Sequence, residues 1–300
     1  MFPVPFYGQD DAVKIFQELR HFPEFVKLSH SVFALPFGLA AMILAASGFP
    51  DWRTFLLIIG ATVTARFAAM AFNRVVDAKY DAANPRTTER HLPSGRMSMF
   101  TAWLIVATGA ILFMAISVWI NHLAGILSPV ALLVIFGYSF TKRFTRFSHF
   151  FLGAALGLAP LGAWVAVQNS LANFAPWLLA LAVICWAAGF DMIYALQDEE
   201  FDRTHRLYSM VVNLGPQRTL VLVLVFHLIM FIILIVLGFI LELHWSYFAG
   251  LLVVFASLCW EHWLMRQLKQ GNLEKAFLQA NALASFGYLG AMILGVFCKN

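Results

Sequence analysis

Nine apolar runs of membrane-crossing length punctuate the chain, at 28–48, 54–75, 99–120, 126–141, 148–167, 176–196, 219–241, 246–265 and 276–297. None shows the strict polar stripe of a surface helix, and most approach the ~20 residues that cross a hydrocarbon core of roughly 30 Å in helical form. A helix satisfies its backbone hydrogen bonds internally, which lipid demands of any spanning segment. The pattern therefore predicts an all-α, polytopic membrane protein with nine transmembrane helices. The run at 126–141 is the shortest; it opens around Ser128 and Pro129 and leads into the polar stretch YSFTKRFTR.

The polar segments between the runs test this count independently. If the N-terminus lies inside, the inner segments hold seventeen of the twenty Lys and Arg, from Lys14, Arg20 and Lys27 through to Arg266, Lys269 and Lys275. Only Arg53 and Lys299 fall outside, and Arg66 lies within a run. A miscount by one helix would scramble this asymmetry, which marks cytoplasmic ends. The expected location is the inner (plasma) membrane, multi-pass, with the N-terminus facing the cytoplasm. The first 25 residues lack the positively charged start and unbroken apolar stretch of a cleaved signal, and residues 1–27 are expected to form a cytoplasmic, interfacial segment. There, DDAVKIFQELRHF offers Asp10 and Asp11 as caps and sets Val13, Phe16 and Leu19 on one face, which predicts a short interfacial helix.

Composition agrees with the pattern. The chain is 61% hydrophobic and 12% charged, more apolar than one soluble core can hide. Its net charge of +4 follows from topology, and no aromatic-interleaved basic groove accompanies it, so nucleic acid is not an expected partner. Cys185, Cys259 and Cys298 show neither CxxC nor Cys/His ligand spacing, so no disulfide framework or structural zinc site is implied. Phosphate-loop, dinucleotide-binding and nucleophile-elbow motifs are absent. His227 reads as a packing residue, Glu261 and His262 as interfacial, and Gly153 with Gly157 as a small-xxx-small packing pair.

Chemistry concentrates in two places. In NRVVDAKYDAANPRTTERHLPSG, Asn73, Asp77 and Asp81 recur every four residues and stack on one side if the second helix continues past the membrane face. In DMIYALQDEEFDRTH, Asp198 and Asp202 repeat that spacing, with Asp191 and Tyr194 seven and four residues earlier. Like charges about 6 Å apart repel by roughly 3 kcal/mol at an effective dielectric near 20. A cation should compensate, and oxygen ligands without Cys or His suit Mg²⁺, which completes its shell with water and phosphate oxygens. A diphosphate bridged to both clusters is one reading; solvated helix ends whose acids pair with nearby Arg and Lys is the other.

These two segments, NRVVDAKYD with NPRTTERHLPSG and then YALQDEEFD, resemble the Asp-rich motifs of the UbiA-type intramembrane prenyltransferases, and the resemblance spans essentially the whole chain. It implies a single domain over 1–300 with the helices around a central cavity. It further implies Mg²⁺-dependent transfer of a polyprenyl chain from polyprenyl diphosphate to a small aromatic acceptor, within the membrane lipid. By that resemblance Asn73, Asp77, Asp81, Asp198 and Asp202 form the metal and diphosphate site. Arg74 stands where many members carry a second acid. The motif detail is most similar to the 4-hydroxybenzoate polyprenyltransferase branch, which includes the prenyltransferase of the futalosine route to menaquinone. Haem O and chlorophyll types of the same superfamily are the alternatives.

Arg66 sits inside a run at a cost of about 2.5 to 3.5 kcal/mol and must face something polar. It lies seven residues before Asn73, at a position where the family also carries Arg, and is read as contacting diphosphate or an acceptor carboxylate, or else as an ion-pair partner of Asp191. The resemblance gives Lys142 and Arg143 to the diphosphate and Tyr138 to the allylic cation. Arg74, Arg86, Arg90 and His205 are further candidate substrate contacts, and Asp191 is a candidate for orienting the acceptor or taking its ring proton. An ion-coupled transporter would instead place its acids near the bilayer centre.

Overall fold

The computed structural model describes residues 18–26, 34–266 and 270–299. Among them every regular element is helical. A short α1 (Phe22–Phe25) precedes α2 (Ala34–Ala46), α3 (Trp52–Ala83), α4 (Met99–Ile120) and α5 (His122–Gly137). A 3₁₀ turn (Tyr138–Arg143) leads to α6 (Ser148–Gln168) and α7 (Ala175–Ala195), which a second such turn (Leu196–Asp198) joins to α8 (Glu199–Thr204). The short α9 (Met210–Leu214) and the long α10 (Pro216–Ile240), α11 (Trp245–Arg266) and α12 (Gln270–Phe297) complete the chain.

Eight helices are long and apolar enough to cross a membrane, and Leu35–Ala46 supplies a ninth, shorter apolar helix. Residues 27–33, where the first run begins, and 1–17, which hold most of the expected interfacial helix, lie outside the described residues. The run at 126–141 proves longer than its composition suggested. Asn121 caps α5 by accepting from the Ala124 N–H, and Pro129 is accommodated within the helix. Large apolar side chains such as Leu133, Trp119 and Phe239 point outward, as lipid-facing residues do.

The two basic residues outside the inner segments have a structural reason to be there. Arg53 donates to the Trp119 carbonyl at the end of α4, and Lys299 donates to the Leu241 carbonyl at the end of α10. Each satisfies a carbonyl that a helix C-terminus leaves without a partner.

α7 is the hub, packing against α6 and α10 and touching α2 and α12. Its sequence explains why: Ala180, Ala182, Ala187, Ala188 and Gly189 keep it thin, so neighbours approach on several sides. Trp186 fills the space this creates, its ring 4.9 Å from Phe37, which stacks in turn on Tyr288. At Gly189 a Cβ would meet the His227 ring at 2.3 Å. His227 is indeed buried packing, 3.2 Å from His262, whereas Glu261 departs from its expected interfacial place. It is buried and accepts from Asn281, because α10, α11 and α12 close around that level of the bundle.

Gly153 lets α6 and α7 touch. A Cβ there would lie 2.7 Å from the Ile184 carbonyl oxygen, a backbone atom that cannot swing away. Gly153→Ala is therefore expected to lower the thermal unfolding midpoint in detergent, by the about 1–3 kcal/mol of an overpacked core. Gly162→Ala, where nothing lies within 4 Å, should leave the midpoint unchanged; equal midpoints for the two variants would contradict the packing described.

Candidate active site

α3 continues without a break to Ala83, so Asn73, Asp77 and Asp81 do lie along one side of a single helix. The Asn73 amide donates to Asp77 one turn on, at 3.0 Å. The second acidic row is built differently from a continued helix. α7 ends at Ala195, and the 3₁₀ turn and α8 redirect the chain so that Asp198 and Asp202 point inward, both nearly fully buried. Both rows line the same cavity, of about 650 Å³, together with Arg66, Tyr138 and Asp191. Along α3 its lining runs from Ile58 to Asp81, about 34 Å at 1.5 Å per residue, comparable to the hydrocarbon thickness. At the end away from the acids the walls are Phe113, Ile120, Ala124, Leu171 and Trp177.

Every acid of the two rows meets a cation. Arg86 grips both oxygens of Asp198, at 2.9 and 2.5 Å, and Asn84 donates to the same carboxylate at 3.0 Å. Arg90 pairs with Asp81 at 2.6 Å, and Arg74 stands 3.9 Å away on its other side. Arg143 reaches Asp77 at 3.4 Å, and Lys142 reaches Asp202 at 3.3 Å. Lys142 also feels Asp77 on one row and Asp198 on the other, so it stands between them. Burial of Arg86 disfavours its charge, but the bonds to Asp198 and to the Tyr194 hydroxyl outweigh this and hold the guanidinium above its ordinary pKa.

The donors available to a metal are carboxylate and amide oxygens. Asp81 Oδ2 is buried and has no hydrogen-bond partner, with Arg74 close but beyond bonding distance. A buried carboxylate oxygen in that state is an open ligand position, and the residues fit a hard divalent cation. Away from the cavity, His21, Glu24 and His91 also converge, within 4.8 Å. His91 Nε2 lies 3.4 Å from Glu24, so these side chains latch the N-terminal segment to the loop that carries Arg86 and Arg90.

The structure gathers thirteen of the fourteen sequence-derived candidates on the cavity: Asn73, Arg74, Asp77, Asp81, Arg86, Arg90, Tyr138, Lys142, Arg143, Asp191, Asp198 and Asp202 with the deeper Arg66. His205 stays outside. It is exposed, stacked on Phe201 at 3.9 Å and bonded to that residue's carbonyl, because α8 turns its last residues away from the cavity. Arg74 replaces a family acid yet still faces the acidic row. Three further residues were not singled out: Asn84, Tyr80, and His149, whose Nδ1 lies 2.6 Å from Asp191. Asn84 was visible as the next polar residue one turn past Asp81; an isolated His at the head of an apolar run gave no signal.

Comparison with known proteins closes the question of kind. The UbiA prenyltransferase family model matches residues 34–286. The chain belongs to the UbiA prenyltransferase family. It is 30% identical over 256 residues to a 4-hydroxybenzoate octaprenyltransferase of Alkalilimnicola ehrlichii, covering 83% of this chain and 85% of that one. A similar protein of that name from Francisella tularensis subsp. novicida is 30% identical over 240 residues, covering 80% and 84%. Among solved structures, the apo UbiA homologue of Aeropyrum pernix K1 superimposes with a TM-score of 0.80 at 30% identity, covering 88% and 97%. A UbiA homologue of Archaeoglobus fulgidus, solved with DMAPP and Mg²⁺, shares the fold with a TM-score of 0.68 at 17% identity, covering 91% and 98%. The chain is thus an integral, multi-pass prenyltransferase of the UbiA kind.

The clamp between Arg86 and Asp198 makes a direct prediction. Arg86→Ala leaves a buried carboxylate beside Asp202, and should destabilise the metal-free protein by about 2 kcal/mol, below the 3–5 of a fully dry pair because the arginine is partly exposed. Arg86→Lys should recover less than half, since an ammonium cannot span both oxygens. Thermal unfolding of the three proteins in detergent reads the difference; an unshifted Arg86→Ala would show the clamp to be inert.

Proposed function

We propose that this enzyme transfers a polyprenyl chain from polyprenyl diphosphate to a small aromatic acid, 4-hydroxybenzoate or a futalosine-type menaquinone precursor, in lipoquinone biosynthesis. One observation carries the reading: two oxygen-rich rows, from α3 and from the α7–α8 turn, face each other over an apolar cavity as long as the bilayer is thick. A polar head and a long hydrocarbon tail would be accommodated together in no simpler way. Names of the relatives at 30% identity point to the same acceptor class.

Asn73, Asp77, Asp81, Asp198 and Asp202 would hold Mg²⁺. The bound metal would neutralise diphosphate charge as a Lewis acid. The chain's own cations do the rest. Arg86, Arg90, Lys142 and Arg143 now pair with acids at 2.5–3.4 Å and exchange those partners for diphosphate oxygens, so the leaving group enters a site already rich in donors. The carbon–oxygen bond of the donor breaks, and diphosphate departs with the electron pair. Tyr138, at the end of α5 and electrostatically coupled to both Arg66 and Asp191, faces the allylic carbon as its positive charge grows. A ring carbon of the acceptor attacks, Arg66 holds the acceptor's carboxylate, and Asp191 takes the ring proton. Apolar walls exclude the water that would otherwise capture the cation.

The cleft and the N-terminus face the cytoplasm in this reading, and residues 1–300 act as one domain in the inner membrane. Haem O- or chlorophyll-type acceptors remain distinguishable by the same assay that tests the whole scheme. The purified chain in lipid nanodiscs is incubated with labelled geranyl or octaprenyl diphosphate, Mg²⁺ and a panel of aromatic acids. Prenylated 4-hydroxybenzoate or its menaquinone-precursor counterpart is expected, lost on chelation with EDTA and lost by more than about 100-fold in Asp77→Ala and Asp198→Ala. Product from none of the acids would overturn the acceptor class, and undiminished turnover in both alanine variants would overturn the site.

A further inference from the structure

Asp191 is one wall of the cavity, and what stands behind it is a histidine that the chemistry above does not use. His149, in the first turn of α6, has no exposed surface and does not line the cavity. Its Nδ1 lies 2.6 Å from Asp191 Oδ2. The backbone N–H of Met210, the first residue of α9, points at its other ring nitrogen, Nε2, from 3.4 Å.

That backbone contact decides the proton's place. An amide N–H can only donate, so Nε2 must be the bare, accepting nitrogen. In the neutral ring the proton then resides on Nδ1, where it donates to Asp191. Among the described residues this is Asp191's one hydrogen bond, and it engages Oδ2 alone. The carboxylate keeps 23% of its side chain exposed, and it lines the cavity, where the Lys142 charge also acts on it.

We propose that His149 is a positioning residue for prenyl transfer: the Met210 amide fixes its tautomer, and its Nδ1–H pins Asp191 Oδ2 so that Oδ1 meets the acceptor ring. The proposal rests on the transferase reading above and deepens its last step. In that step the carbon–carbon bond to the donor has formed, the carbon–oxygen bond to diphosphate has broken, and the diphosphate has left with its electron pair. The ring then returns its C–H electron pair to the aromatic system, and the proton passes to Asp191 Oδ1. His149 neither gains nor loses a proton. Its work is orientation, since a carboxylate free to rotate would spend most of its time away from the ring hydrogen.

The arrangement also ties catalysis to the second acidic row. Asp191 lies seven residues before Asp198, about 10 Å deeper along α7, and Met210 follows Asp202 by eight residues. His149 thus joins α6, α7 and α9 at a single point beneath the diphosphate level.

Two variants separate positioning from packing. His149→Asn sets an amide Nδ2–H close to the position of the native Nδ1–H, whereas His149→Leu fills similar volume without a donor. With the acceptor found above, Leu is expected to lower kcat about 100-fold while the KM for prenyl diphosphate stays within about threefold. Asn should recover kcat to within about fivefold of the unaltered protein. Full kcat in His149→Leu, or an equal loss in both variants, would overturn the proposal. The second measurement needs no turnover: in ¹⁵N NMR of ring-labelled histidine in nanodiscs, the ring signal lost in His149→Leu should be that of a neutral ring with Nδ1 protonated and Nε2 bare. If the signal lost in His149→Leu is that of a ring protonated at Nε2, the proposal is overturned. Should the unaltered protein prenylate no aromatic acid, the function is refuted on its own, and the tautomer spectrum still decides the dyad.

Discussion

Charge compensation between two buried acidic rows governs this structure. Asp77 and Asp81 descend one helix, Asp198 and Asp202 occupy the turn at the end of another, and their mutual repulsion in a dry site would drive the helices apart. Five cations sit between or beside them: Arg74 from α3 itself, next to Asp81, and four others supplied by a different element or by a loop that folds back. Arg86 and Arg90 come from the segment after α3, Lys142 and Arg143 from the 3₁₀ turn after α5. Removing those loops would leave two helices that cannot share a cleft. The same arrangement is suited to catalysis, because cations that hold carboxylates weakly enough to exchange partners can receive a phosphate group at little cost in reorganisation.

Below the charged layer the bilayer sets the architecture. Hydrocarbon supplies no hydrogen bonds, so every spanning segment is helical, and no hydrophobic drive brings helices together within it. Association must come from close packing and polar contacts. α7 shows the first in its run of Ala and Gly, and α11–α12 show the second in the Glu261–Asn281 bond. The cavity survives because α3, α5 and α6 present small residues along its walls, among them Ala65, Ala69, Ala131, Ala155 and Ala159. Larger side chains there would close it, and the long apolar chamber beneath the acids would vanish.

Much of this was legible in the sequence, for reasons that can be named. Helix number followed from hydropathy because lipid leaves helices as the only option for a single chain of this composition. The four-residue acid spacing on α3 placed Asn73, Asp77 and Asp81 on one side because helical geometry is local. The α7 row was harder. Its equal spacing suggested one uninterrupted helix, yet a 3₁₀ turn at Leu196–Asp198 separates α7 from α8, and His205 at the end of α8 lies on the surface. Nothing local in LQDEEFD announces that turn, and the acids it carries find their partners, Arg86 and Lys142, far along the chain. Pairings of that kind span 112 and 60 residues of chain, and spacing patterns carry no trace of them.

Depth separates the two halves of the chemistry. Arg66 and Asp191 each lie seven residues before the first member of their row, the amide Asn73 and the acid Asp198 respectively, which sets both about 10 Å further into the membrane on α3 and α7. Tyr138 is coupled electrostatically to both. The cavity therefore has a charged upper storey fit for diphosphate and a lower one whose ionisable groups, among the described residues, are Arg66, Tyr138 and Asp191, with the hydroxyls of Thr62, Ser117 and Ser128 also on its walls. An aromatic acid with a carboxylate at one end and an electron-rich ring matches that lower set, since Arg66 would take the carboxylate while Asp191 meets the ring. A transported ion would need its ligands gathered at the lower level, where among the described residues one carboxylate, Asp191, shares the cavity with the Arg66 cation. The geometry thus fits the two partners proposed above stacked in order, one ending in phosphate and one carrying a ring.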